Sequence, residues 1–133
     1  SNMEMTEWMR EEIIRALADI CVVYGEKMPQ SAAEEMPYLT VEMADGVFQR
    51  ELGRYRRLVR QAKICLYSST EQERAKLEEK LMDTIEEMPF RHEVLQWQEE
   101  ADHTEAVIRW SLRLQKEEEF VKMGQLIEKE LEA

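Results

Sequence analysis

The recurrence of Phe48, Leu52, Tyr55, Val59, Ala62 and Leu66 restricts the fold of this chain more than any other pattern in it. At about 100° per residue these side chains fall within one arc, and Arg50, Arg54 and Arg57 project almost opposite. With Thr40 as a capping candidate, the spacing predicts a helix from Val41 to about Tyr67, apolar on its inner face and basic on its outer one. Gly46 and Gly53 weaken that helix and allow a kink near Asp45-Gly46, while the alternation of Leu39, Val41 and Met43 would also suit a short strand.

The flanking segments read the same way. Thr6 caps a first helix to about Tyr24 on the stripe Met9, Ile13, Leu17, Ile20 and Tyr24, and Gly25 stops it. Ser31 and Glu34 form a capping box for a short helix ended by Pro37. Ser69 with Gln72, and Thr70 with Glu73, restart a helix whose buried stripe is Leu77, Leu81, Ile85 and Met88; Pro89 closes it or opens the next one at its first turn.

From Phe90 to Leu131 there is no Pro and only Gly124. One helix over this stretch would reach about 60 Å, so a break at Asp102-His103-Thr104-Glu105 is expected. Val94, Trp97, Ala101, Ile108, Leu112, Met123 and Leu126 share one face, and Trp110, Leu114 and Val121 gather on the other. Ile108, Trp110, Leu112 and Leu114 also alternate with Arg109, Ser111 and Arg113 as a strand would, without a convincing partner strand. The expectation is an all-α helical bundle of four to six helices with a long C-terminal helix or helix pair. It forms a single domain over 3–133, behind Ser1 and Asn2 as the remnant of an expression tag. Four Gly and three Pro in 133 residues fit few loops.

Charge bears on function. Arg50, Arg54, Arg56, Arg57, Arg60 and Lys63 stand against a single Glu51 inside a chain of net −11. Such a dipolar surface suits an acidic partner, a phosphate backbone or the chain's own carboxylates. Cys21 and Cys65 sit among apolar neighbours and read as small buried hydrophobes in a reducing compartment. No apolar run approaches a membrane span, so a cytoplasmic protein without membrane contact is expected.

No motif names an activity. No G-x-S-x-G elbow, Gly-rich phosphate loop or activated cysteine is present, so no catalytic residue is assigned. Glu100 and His103 spell the E-x-x-H of di-iron bundles, which need two such pairs. Glu99-Glu100-Ala-Asp102 resembles the second E-x-x-D half of the all-α nucleotide pyrophosphohydrolases, with Asp83 to Glu86 as a loose first half. That resemblance implies a Mg-dependent hydrolase and is the third reading. No metal or cofactor is expected; Glu99, Asp102 and His103 are the residues a metal would take. The leading reading is a small, non-enzymatic interaction or regulatory protein. Arg50, Arg54, Arg57 and Arg60 form its basic contact face, and Trp110, Leu114 and Val121 form a face for a homodimer or a partner helix. A nucleic-acid-associated regulator using the basic helix 50–63 is the alternative.

Overall fold

A computed structural model describes residues 2–25, 35–51 and 53–115. The described chain runs α1 (Asn2–Ala18), β1 (Val22–Tyr24), β2 (Tyr38–Met43), β3 (Val47–Arg50), β4 (Tyr55–Tyr67), α2 (Glu71–Glu87), β5 (Arg91–Glu99) and β6 (His103–Gln115). The strands form one mixed sheet in the order β1-β2-β4-β6-β5, with β3 also paired to β4. β1 lies parallel to β2, and every other pair is antiparallel. β2 and β3 follow one another along the same edge of β4, interrupted at 44–46.

The all-α bundle is therefore overturned: the described residues from Val41 to Tyr67 hold the end of β2, then β3 and β4, and no helix. β4 hides its period. Its core row is Leu58, Arg60, Ala62, Ile64 and Leu66, all buried, and the charged Arg60 interrupts the alternation that would have marked a strand. Val59, Cys65 and Tyr67 add apolar residues to the opposite row, so the segment matches a helical stripe as well. β4 is the long partner that the alternating segment of β6 lacked. Thirteen residue pairs join them, with Arg60 opposite Trp110, and the alternation of Ile108, Trp110, Leu112 and Leu114 is that of a strand. β5 is disguised by a register shift between Val94 and Gln96. The extra residue at Leu95 places Val94 and Trp97 on one face at a spacing of three, which imitates a helix.

Both helices cover one face of the sheet. From α1 come Met5, Met9, Ile13 and Leu17, and from α2 come Leu77, Leu81 and Ile85. They close over Leu39, Val41, Leu58, Ala62, Ile64, Leu66, Ala106, Ile108, Trp110 and Leu114. α1 begins before Thr6 and ends at Ala18, so Ile20 lies past the helix and Tyr24 in a strand. α2 matches its capping signal: the Thr70 hydroxyl accepts from the Glu73 amide at 3.1 Å. Trp8 meets Phe90 edge to face at 5.7 Å, tying α1 to the segment after α2. The short helix expected from Ser31 and the continuation beyond Gln115 lie outside the described residues. Among those residues, no helix is long and apolar enough to cross a membrane.

Candidate functional site on the exposed sheet face and the β5 edge

Alternation places odd-numbered residues of β4 and β6 on the face away from the helices. Direct pairing sets Tyr38, Tyr67 and His103 in one row, which Tyr24 of β1 joins diagonally. Tyr24 meets Tyr38 edge to face at 5.7 Å, Tyr38 stacks on Tyr67 at 4.8 Å, and Tyr67 stacks on His103 at 4.9 Å. These rings cover one another rather than presenting flat faces to solvent, and Tyr38 is buried. Burial pushes the Tyr38 and Tyr67 hydroxyls above the ordinary phenol range.

One step along the strands, Cys65 lies opposite Glu105. Its Sγ stands 3.8 Å from Glu105 Oε1, an oxygen that also pairs with Lys63 Nζ at 2.9 Å. The Lys63 ammonium holds the Glu105 carboxyl below its usual range, and Glu105 raises Lys63. His103 Nδ1 lies 2.7 Å from Asp102 Oδ1, and this hydrogen bond lowers the Asp102 carboxyl. In outline Cys65, His103 and Asp102 form a nucleophile, base and orienting acid. Burial, and after it the charge of Glu105, pushes the Cys65 thiol up against the opposing hydrogen bond with Thr40. An activated cysteine requires the opposite shift.

Helix α2 fixes the turn that carries this group. Arg74 is buried and donates to the carbonyls of Glu100 at 2.9 Å and Ala101 at 3.3 Å, while the Thr104 hydroxyl donates to Glu78 at 2.8 Å. The Glu100 amide donates to the His103 carbonyl at 2.8 Å, closing the β5–β6 hairpin. Glu99, Asp102 and His103 are thus hairpin residues. The helical E-x-x-H and E-x-x-D arrangements are overturned, because those spacings place side chains together only on a helix.

The basic residues also disperse. Arg57 donates to Glu51 at 2.8 Å and to Ser111 at 3.1 Å. Arg113 pairs with the same Glu51 at 3.3 Å and lies over the Tyr55 ring at 4.0 Å. Arg109 pairs with Glu93 at 3.3 Å, and Arg56 lies over Phe48 at 4.9 Å. Arg60 is only 7% exposed; it donates to the carbonyls of Thr6 at 2.8 Å and Ala44 at 2.9 Å, tying β4 to α1 and to the β2–β3 junction. Arg50 and Arg54 remain exposed at the β3–β4 turn, where Gly53 adopts φ 81°. A single guanidinium stripe on one helical face does not form, because these residues divide between the two faces of strands.

Trp110 and Leu114 are both 0% exposed inside the core of their own chain, so they form no face for a second molecule. Val121 lies outside the described residues. Sequence reasoning passed over β5 instead. Among the described residues β5 pairs with β6 alone, and all but Trp97 of its residues are exposed. Val94 and Leu95, each 38% exposed, stand at its middle. His92, Val94, Trp97 and Glu99 share the helix-side face through their partners Trp110, Ile108, Ala106 and Thr104, while Glu93, Gln96 and Gln98 share the other. An apolar pair within an edge strand is the available signal, but it is legible only once the strand is recognised. No protein-family model and no curated protein matches this chain.

Proposed function

We propose that the chain is a small, non-enzymatic interaction protein that works as a homodimer, with two β5 edges joined antiparallel about a twofold axis. The exposed edge of β5, with Val94 and Leu95 at its centre, is the observation that carries this reading. An edge strand offers a row of unpaired amides and carbonyls, and proteins that do not use such a row blunt it.

The β5 sequence is complementary to itself in one register. With Leu95 opposite the partner's Gln96, Val94 faces the partner's Trp97 and Glu93 faces the partner's Gln98. His92 then faces the partner's Glu99. Each of these last three pairings matches residues of the same sheet face, as antiparallel pairing requires. The extra residue at Leu95 occurs in both strands, so it lies at the axis and does not shift the flanking pairs. Val94 and Trp97 would extend the apolar layer from one subunit into the next, and no carboxylate faces another. The partners of Arg57, Arg60, Arg109 and Arg113 within the chain support a protein-binding role over polyanion recognition, and the raised Cys65 thiol speaks against nucleophilic catalysis.

Sedimentation equilibrium tests this. A particle of twice the 15.9 kDa chain mass is expected at micromolar concentration. Val94→Lys places a cation in the apolar seam and should weaken association by roughly tenfold or more, with the fold retained by circular dichroism. A wild-type chain that stays at single mass, or a dimer that Val94→Lys leaves intact, contradicts the proposal.

A further inference from the structure

We propose that Cys65, His103 and Glu105 form a zinc-binding site on the exposed sheet face, with a fourth position open to water or to an external ligand. One potential ligand atom from each of these residues lies within 4.8 Å of the others. They come from the mutually paired strands β4 and β6, whose register sets Cys65 opposite Glu105 and one pair away from His103.

The donor set selects the metal. A thiolate, an imidazole and a carboxylate are a borderline mixture that suits Zn²⁺, whereas Mg²⁺ and Ca²⁺ call for oxygen alone. Bond lengths of about 2.0 to 2.3 Å imply distances of roughly 3.3 to 3.8 Å between ligands of a tetrahedral zinc. Cys65 Sγ and Glu105 Oε1, 3.8 Å apart, already meet that spacing. The remaining closure, of about 1 Å at most, falls to side-chain adjustments of His103 and Glu105, both half-buried. Lys63 pairs with the same Oε1, which keeps a second lone pair for the metal once the Cys65 proton has left. On binding, the Cys65 S–H bond breaks, its electron pair forms the sulfur–zinc bond, and the proton passes to solvent without any change of oxidation state. Thiolate and carboxylate together then balance the charge of the dication.

The surroundings reproduce how zinc-binding histidines are held. The Asp102 carboxylate sits 2.7 Å from His103 Nδ1. This sets the proton on Nδ1 and leaves the lone pair on Nε2, as in carboxylate–histidine–zinc arrangements. Tyr67 stacks on the ring and fixes its plane. Arg74 holds the carbonyls of Glu100 and Ala101, so the turn leading into His103 is anchored on α2.

Cobalt(II) titration of the reduced full chain, followed by absorption, is the test. The expected result is a thiolate-to-cobalt charge-transfer band that saturates at one metal per chain and is displaced by Zn²⁺. Cys21→Ser should keep the band and Cys65→Ser should lose it, while Asp102→Asn should weaken Zn²⁺ binding about tenfold or more. If Cys65→Ser does not fold, Glu105→Gln, at a half-buried position, serves in its place and should weaken binding at least tenfold. The absence of a charge-transfer band, a band that follows Cys21, or an affinity indifferent to both Cys65→Ser and Glu105→Gln would overturn the site.

Discussion

Arg60 shows how one side chain governs both structure and legibility. It occupies a core row between Leu58 and Ala62, where the surrounding positions are apolar, and burial pulls its guanidinium below the ordinary range. Its two hydrogen bonds to backbone carbonyls offset that desolvation and join α1, the β2–β3 junction and β4 at one point. Arg60→Ala should cost about 2 kcal/mol in urea denaturation, since it opens a cavity and removes both hydrogen bonds. Arg60→Lys should recover little of this, because a single ammonium cannot reproduce a fork directed at two separate carbonyls. Gly46 belongs to the same joint. A Cβ there would stand 2.5 Å from Thr6 Cγ2 and 2.8 Å from Thr6 Cβ. Gly46→Ala should therefore push α1 from the sheet and destabilise the chain by about 1–3 kcal/mol, measured in the same way.

The elements differ in how openly the sequence announces them. α2 was legible because Thr70 and Glu73 supply a local cap and Leu77, Leu81, Ile85 and Met88 keep one uninterrupted stripe. The stripe of α1 was legible at Met9, Ile13 and Leu17, but its extension to Tyr24 overran a strand. In β4 an arginine in the core row and apolar residues in the other made two periods fit equally. In β6 the alternation was visible, but a strand needs a partner, and its partner was the disguised β4. The bulge in β5 replaced a spacing of two by three. Of the candidate site, His103 and Asp102 were marked, whereas Cys65 and Glu105 join them only through β4–β6 register, which no local spacing records.

A pH effect belongs to the contact between α2 and the β5–β6 hairpin. Burial, and then the neighbouring Glu99 carboxyl, raise the Glu78 carboxyl above its ordinary value, against the hydrogen bond from Thr104. A carboxyl raised on folding binds its proton more tightly in the native state. Its ionisation therefore costs stability, increasingly as pH rises from the unfolded value through the folded one. Glu99→Gln removes one cause of the shift. In the Val94→Lys background, where edge pairing is removed, it should raise stability at pH 7 by about 0.5 kcal/mol. The gain should vanish as pH falls below the carboxylate range, as followed by thermal unfolding across pH.

At the scale of the whole molecule, a net charge of −11 opposes association of like chains. The pair between His92 and the partner's Glu99 lies at an exposed rim and contributes little, so screening the general repulsion outweighs screening this contact. Dimerisation should thus strengthen between low and physiological ionic strength, as read by sedimentation. Two sheets joined at β5 would carry their helices on one side and both exposed faces, with Cys65, His103 and Glu105, on the other. Amide hydrogen exchange of β5 at dilute and concentrated protein tests the joined edge most directly. The β5 amides not bonded to β6 should gain protection with concentration and lose it in Val94→Lys, whereas equal, rapid exchange of those amides at every concentration would contradict the account.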